Sequence, residues 1–469
     1  MRELKIKTTP FEFIDLLDVR INKWVNEHGT ATVIGRIPEE LEDKYVEMAG
    51  SNEWFTIIAE DEYGNEKVIF NGVVRSVSIK TYKNVRTLQV EAITGSYVMD
   101  IYPKKRTFQN ENQTYRSVLS TLEKSYPKGE IYMRVGENDT TKTILVQYQE
   151  TDWQFAKRLA SHFNSVLVPE FVSQGEKFYF GMPSNGKLEE VDFLSYTLKK
   201  DVSEYIYKTK NKVKDISEND CIYYIVQSRE ILDLCQPVKF KGRDLYVHQI
   251  ESKLEGHELM HYYSFKSEQG FKTKKEHNEK LIGASISANV LDVSGDKVKV
   301  QMSVDGEQKA DEAKWFPYST VYSSPDGTGW YCMPEAGDTM RVYFSDEEEN
   351  NAFVISAVHE QSQEGKRSDP NIKILSTKYG KEIIFSEKGL EIKSGDGMSI
   401  KLLDEEGIII ECDKNVKIDA TEDINLISDQ TISFDALEGI ELIQGENDAT
   451  KIELKEDITF MGGQVKMMK

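Results

Sequence analysis

From Ile384 onward an apolar residue returns at every eighth position: Ile384, Ile392, Ile400, Ile408, Val416, Ile424, Ile432 and Ile440. A second series follows two positions later. It is weak at Ser386 and Ser394, then steady through Leu402, Ile410, Ile418, Leu426, Phe434 and Leu442. Small or polar residues fill the corners, among them Gly407, Asn415, Asp423, Gln430 and Gly439. Apolar residues at i and i+2 make a short strand with one inward face, and a fixed internal period marks a stack of repeated units. One octad spans under ~27 Å, too short to encircle a core. Either one chain uses three octads per turn, or three chains each supply one side. The three-chain form gives a stack as long as the segment and leaves few open strand edges. The pattern therefore predicts a β-helical needle over 372–469, intertwined as a homotrimer in the favoured three-chain form, with the apolar members of both series as its core. The alternative, a plain β-meander, has no reason to hold one spacing through eight strands. After Ile440 the register slips, because the next apolar pair is Ile452 and Leu454. The last stretch, Ile458 to Gly463, closes the stack. A flat prism end leaves backbone and apolar groups uncovered, so a separate tip protein is expected on Phe460, Met461 and Val465.

Upstream the periodicity changes several times. Residues 1–103 read mainly as strands: VIFNGVVRSVSI and RTLQVEAIT alternate, with Tyr82-Lys83-Asn84 as the turn between them. Residues 114–126 and 152–164 carry apolar residues at helical spacing. In the second helix Trp153, Phe155, Ala156, Leu159 and Phe163 share a side, and Thr151 or Asp152 is the cap. Strand patterns return from 166 to 265. Residues 281–358 form a compact all-β pattern of about five strands. Residues 359–371, HEQSQEGKRSDPN, hold no large apolar side chain and read as a linker. The expected organisation is a β-barrel over 1–103, an α+β segment over 104–170, a second β-barrel over 171–272, a third barrel over 281–358, the linker and the needle.

The chain of 469 residues is too long for a single core. Its 59 basic and 80 acidic residues leave a net charge of −21, which argues against nucleic acid or anionic lipid as the main partner. The N-terminus has no apolar core of a signal peptide, and no apolar run approaches the ~18 residues needed to span a bilayer. Cys221, Cys235, Cys332 and Cys412 do not pair by spacing and read as free thiols in a reducing cytoplasm. Acidic runs such as Glu347-Glu348-Glu349 read as solvated turns. No cofactor is expected.

His257-Glu258-Leu259-Met260-His261 matches H-E-x-x-H, which on a helix binds zinc with the glutamate as general base. A zinc metallopeptidase is thus one alternative function. The context opposes it: a strand pattern precedes, Glu255-Gly256 reads as a hairpin turn, and Tyr262 to Phe265 continue extended. No nucleophile elbow or P-loop is present, so no catalytic or metal residue is assigned. A trimeric adhesin or tail fibre is the other alternative, but the needle is poor in the aromatic residues that role uses.

Several motifs resemble those of the VgrG family of type VI secretion spikes and the hub-and-needle proteins of contractile phage tails. Arg106-Thr107-Phe108-Gln109 looks like the family's Arg-x-Phe-Gln element. Tyr148 to Phe155, followed by Arg158-Leu159, looks like its Tyr-x-Glu-Thr-Asp-x-x-Phe…Arg-Leu element. Residues 281–358 are similar to its OB-fold barrel, with Trp315-Phe316-Pro317, Gly329 to Asp338 and Arg341 to Phe344 in matching strands and turns. The sequence departs from the family at Gly295-Asp296-Lys297-Val298 and after the acidic turn, where a proline is absent. The resemblance implies a non-enzymatic homotrimer that punctures an envelope. Its two hub barrels per chain would match a six-fold tube. The implied partners are an Hcp-like tube hexamer, a PAAR-like tip protein, baseplate proteins and non-covalently held effectors, with no nucleic acid. It also implies a cytoplasmic protein that the contractile machine delivers outside the cell. The cell-wall hydrolase that some phage relatives insert before the needle is not expected, since only the short linker lies there.

Overall fold

The computed structural model describes residues 5–50, 52–60, 63–183, 186–355, 368–444 and 450–454. The chain divides into two units, Met1–Glu360 and Gln361–Lys469.

In the first unit, ten strands follow one path through a large sheet. Their spatial order is Lys5–Thr9, Trp54–Glu60, Glu66–Tyr82, Val85–Ile93, Thr30–Ile37, Asp15–Trp24, Arg243–Glu255, Glu258–Lys266, Ile222–Ser228 and Ser195–Lys200. Strict alternation builds it: every second residue of Thr30–Ile37 and of Trp54–Glu60 is buried. The Glu66–Tyr82 and Val85–Ile93 strands are joined through Lys83 and Asn84, at φ 47° and 63°. That backbone reversal matches the twist of a tight hairpin. The N-terminal and later strands do not form separate sheets. They meet at one antiparallel seam, where Ile21 lies opposite Ser252 and Lys23 opposite Ile250. One apolar core runs through both sides, with Phe11, Val33 and Phe55 from the first and Val247, Tyr263 and Phe265 from the second.

A second core is helical on one side. The helices Tyr115–Glu123 and Asp152–Ser161 pack with a three-stranded sheet of Glu130–Met133, Lys177–Phe180 and Leu167–Pro169. Thr114 and Thr151 cap them, each side chain accepting an amide hydrogen bond, and Thr151 with Gln154 completes a capping box. Trp153, Phe155, Ala156 and Leu159 are buried, and Phe163 packs at the edge.

Two further helices, Glu42–Met48 and Val202–Lys210, interrupt stretches that read as strand. Val202–Lys210 buries only Lys208, so it shows no apolar stripe. Its Asp201 cap and polar partners hold it instead.

The five strands Trp315–Pro317, Lys297–Met302, Ser285–Ser294, Thr339–Tyr343 and Phe353–Ile355 form the third sheet, around Val298, Val300, Phe316 and Val342.

In the second unit, Lys373–Ser376, Lys381–Ser386, Gly389–Ser394, Met398–Leu403 and Gly407–Cys412 form an antiparallel meander in the single chain, the arrangement that the constant spacing argued against. Its reversals rely on Gly380, Gly389, Gly395 and Gly407, all at positive φ. Within 408–438 there is no glycine, and residues 413–438 form no strand in the single chain. The eight-residue repeat continues regardless. Ile440–Gln444 then pairs with Thr450–Leu454.

Candidate functional site: an apolar ladder and a buried ionic junction

The meander aligns the octads across strands. Leu390 faces Leu402, Ile392 faces Ile400, Ile400 faces Ile410, and Leu402 faces Ile408. Directly opposed residues share a sheet face, so these side chains make one apolar ladder. Ile383 and Phe385 extend it, because they face Ile392 and Leu390. Ile384 lies opposite Glu391 and Ile374, out of that row.

None of the fourteen octad residues is buried in the single chain. Ile408 is 73% exposed, Ile410 60%, Ile418 72% and Phe434 68%. Ile392, Ile400, Leu402, Val416, Ile424, Leu426, Ile432 and Leu442 are also exposed, while Ile384 and Ile440 are half-buried. A soluble chain does not ordinarily carry a continuous apolar row in water. Phe460, Met461 and Val465 lie outside the described residues.

The H-E-x-x-H stretch is a β-hairpin. Gly256 turns at φ 65°, and Glu258 pairs with Glu255 across the turn. Glu258 is held by the Arg229 guanidinium at 2.8 Å. His261 is 2% exposed, with Nδ1 2.7 Å from the Ser252 hydroxyl, and burial pulls its pKa down to about 3. Among the described residues no three His, Cys, Asp or Glu side chains are grouped to hold a metal. The helical geometry that a zinc reading requires is therefore missing, and these residues serve the sheet.

The two quoted motifs converge on a buried junction. Asp152 is fully buried and accepts hydrogen bonds from Lys104 at 2.6 Å, Arg106 at 2.6 Å, Tyr126 at 2.7 Å and Gln147 at 2.9 Å. Burial alone raises its pKa, but these donors outweigh it and hold the carboxyl below its usual range. Arg158 is 3% exposed and bridges Glu150 to Glu349, each at 2.8 Å. It also donates to the Val146 carbonyl at 2.8 Å. Gln109 donates to the Val300 carbonyl at 3.0 Å and accepts from the Lys314 amide at 3.3 Å. Asp305 accepts from the Thr107 amide at 2.6 Å and from its hydroxyl. The motif residues thus fasten the helical segment to the 281–358 barrel.

Sequence reasoning missed Asp305 and Glu349. The Glu347-Glu348-Glu349 run is not wholly a solvated turn: Glu348 meets Lys275 at the surface, but Glu349 is buried against Arg158. An acidic run gives no sign of which member turns inward. Arg158, on an otherwise apolar helix face with no acidic residue three or four positions away, was the one available signal.

Residues 286–359 match the type VI secretion system/phage-baseplate injector OB domain family. Among solved structures, the chain is similar to the E. coli c3393 protein, described as a type VI secretion component structurally similar to the T4 bacteriophage tail proteins gp27 and gp5. Identity is 11%, the match covers 75% of this chain and 99% of that one, and the TM-score is 0.52. It is also similar to a chain of the Francisella PdpA–VgrG complex in its half-lidded form, at 9% identity, 88% of each chain and TM-score 0.56. The lidless form matches at 10% identity over 88% of this chain and 98% of that one, with TM-score 0.55. No curated protein matches by sequence. These likenesses establish the fold: mainly β, multidomain and VgrG-like, with an OB-type barrel over the matched residues.

Proposed function

We propose that this VgrG-like chain is a homotrimeric spike at the tip of the inner tube of a contractile injection machine. The observation that carries this reading is the octad ladder. Its residues are exposed in one chain, and its glycine-free half cannot fold back on itself through tight glycine turns. Two further copies would supply the missing strands and cover the apolar row, with each chain contributing one side of a three-sided prism. Work on an envelope is then mechanical: sheath contraction drives a narrow, rigid prism forward, and no bond chemistry is required. The hub strands would seat on an Hcp-like tube hexamer and baseplate proteins. A PAAR-like protein would cap the needle around Phe460, Met461 and Val465, and effectors would ride non-covalently. Before firing the protein would reside in the cytoplasm. No helix among the described residues is long and apolar enough to cross a membrane.

The test is the mass of the purified protein and of Ile424→Asp. The wild type is expected to run as a trimer. The variant places three carboxylates in one prism layer, which buries charge without partners, and is expected to dissociate. A wild-type monomer at every concentration, or an unchanged trimer in Ile424→Asp, would overturn the octad core.

A further inference from the structure

Near the seam of the large sheet, a cavity of about 500 Å³ opens between strand residues and the stretches 168–183 and 186–189. That volume falls within the range of small-molecule sites. Its walls include Val168, Phe171, Tyr179 and Leu234, and its charged lining residues are Lys23, Lys67, Glu170, Lys187, Glu189 and Asp233. Most of these charges are engaged or at the rim. Lys67 binds Asp233 at 3.1 Å and the Ile231 carbonyl at 3.3 Å. Glu170 accepts from the amides of Val172 at 2.8 Å and Ser173 at 3.3 Å, and from the Tyr179 hydroxyl at 3.1 Å. Lys187 and Glu189 are exposed.

Lys23 differs. It is only 5% exposed, and its ammonium lies 5.2 Å from the centre of the Phe171 ring. It has no hydrogen-bond or ion-pair partner among the described residues. Its position is set by the seam, opposite Ile250. A buried ammonium without a directly bonded counter-charge is costly, and burial pulls its pKa down to about 8, against the longer-range pull of Asp233 and Glu170. At neutral pH it remains mainly charged. The cavity therefore offers one unsatisfied cation beside an aromatic and aliphatic wall.

We propose that this cavity binds a small organic carboxylate, its oxygens on Lys23 Nζ and its apolar body against Phe171 and Val168. A carboxylate would complete the hydrogen bonding that Lys23 lacks, and the ring or alkyl body would displace water from the apolar wall.

The test uses the full-length protein and three probes, followed by calorimetry: benzoate, neutral benzamide and inorganic phosphate. Benzoate is expected to bind saturably, with benzamide and phosphate each roughly tenfold weaker or more. Lys23→Met is expected to lower benzoate affinity by at least about tenfold while the trimer and its β-sheet spectrum persist. Benzoate affinity should also fall as pH rises from 7 to 9 and Lys23 loses its proton. Asp233, Lys67, Glu170 and His261 are the titratable groups whose fields reach it, and Lys187 and Glu189 line the same cavity. Equal binding of benzoate and benzamide overturns the proposal, as does stronger binding of phosphate. Unsaturable benzoate binding, or unchanged affinity in Lys23→Met, also overturns it. The comparison of probes on the wild type stands even where the variant fails to fold.

Discussion

Glu204 sits between two ammonium groups, Lys266 at 2.8 Å and Lys208 at 2.7 Å, and accepts the Tyr223 hydroxyl at 2.6 Å. Burial alone raises its pKa, but the lysines and the hydroxyl outweigh that and bring it from 4.5 to about 2. A carboxyl depressed by folding contributes stability that is whole above the unfolded pKa and is lost as pH falls through the folded one. The urea midpoint should therefore drop between pH 4.5 and 2. Glu204→Gln should shrink that slope, leaving the part due to other depressed carboxyls such as Asp152, and cost about 2 kcal/mol at neutral pH. A pH profile identical to wild type would refute the assignment. Arg158 makes a sharper case. Its removal leaves Glu150 and Glu349 buried without their cation, and breaking a buried pair from one side costs about 3–5 kcal/mol. Arg158→Met should lower the stability of the first unit by that order in denaturant titration. A loss under ~1 kcal/mol would mean the triad is not the buried fastening described. The role of Glu349 does not show in its neighbours along the chain, since it reaches Arg158 across 191 residues.

At the scale of elements, the octad meander depends on a few backbone reversals. Gly389 turns at φ 146°, and a Cβ there would lie 2.0 Å from the Leu402 carbonyl oxygen. Gly407 also has positive φ, 88°, but a Cβ there meets nothing within 4 Å. Gly389→Ala should therefore speed hydrogen exchange across Gly389–Leu403 far more than Gly407→Ala does at its own turn. The second substitution should cost about 1 kcal/mol, the strain of a left-handed alanine. Equal protection in the two variants would show that the Gly389 turn is not the tight one. The helices divide the same way. Asp152–Ser161 was legible because its apolar stripe and Thr151 cap are both local signals. Val202–Lys210 was not: its Asp201 cap and Glu204–Lys208 pair are local, but it has no apolar stripe to mark a helix, and Lys266 joins it from far along the chain.

For the whole molecule, the decisive property is how many chains make the second unit. If three chains share each turn, the thermal midpoint of that unit should rise with protein concentration, since mass action favours the assembled state. The first unit, with its own buried cores, should melt at a midpoint that does not move. Two transitions with this contrast, followed by calorimetry over a hundredfold concentration range, are expected. A second transition that is independent of concentration would place the octads in a single-chain structure.

The eight-residue repeat was legible in the sequence because each octad carries the same local apolar pattern. The same holds for the alternating strands of the hub and for the five strands of the OB domain. Tertiary structure alone decided two things. It joined the two hub stretches into one sheet through the Asp15–Trp24 seam. It brought Arg158, Glu349, Thr107 and Asp305 together from distant segments. In each case the partner lies scores of residues away or more, so no local period or motif encodes the contact. Only the closure of the chain, by excluding water, makes these few polar groups satisfy one another.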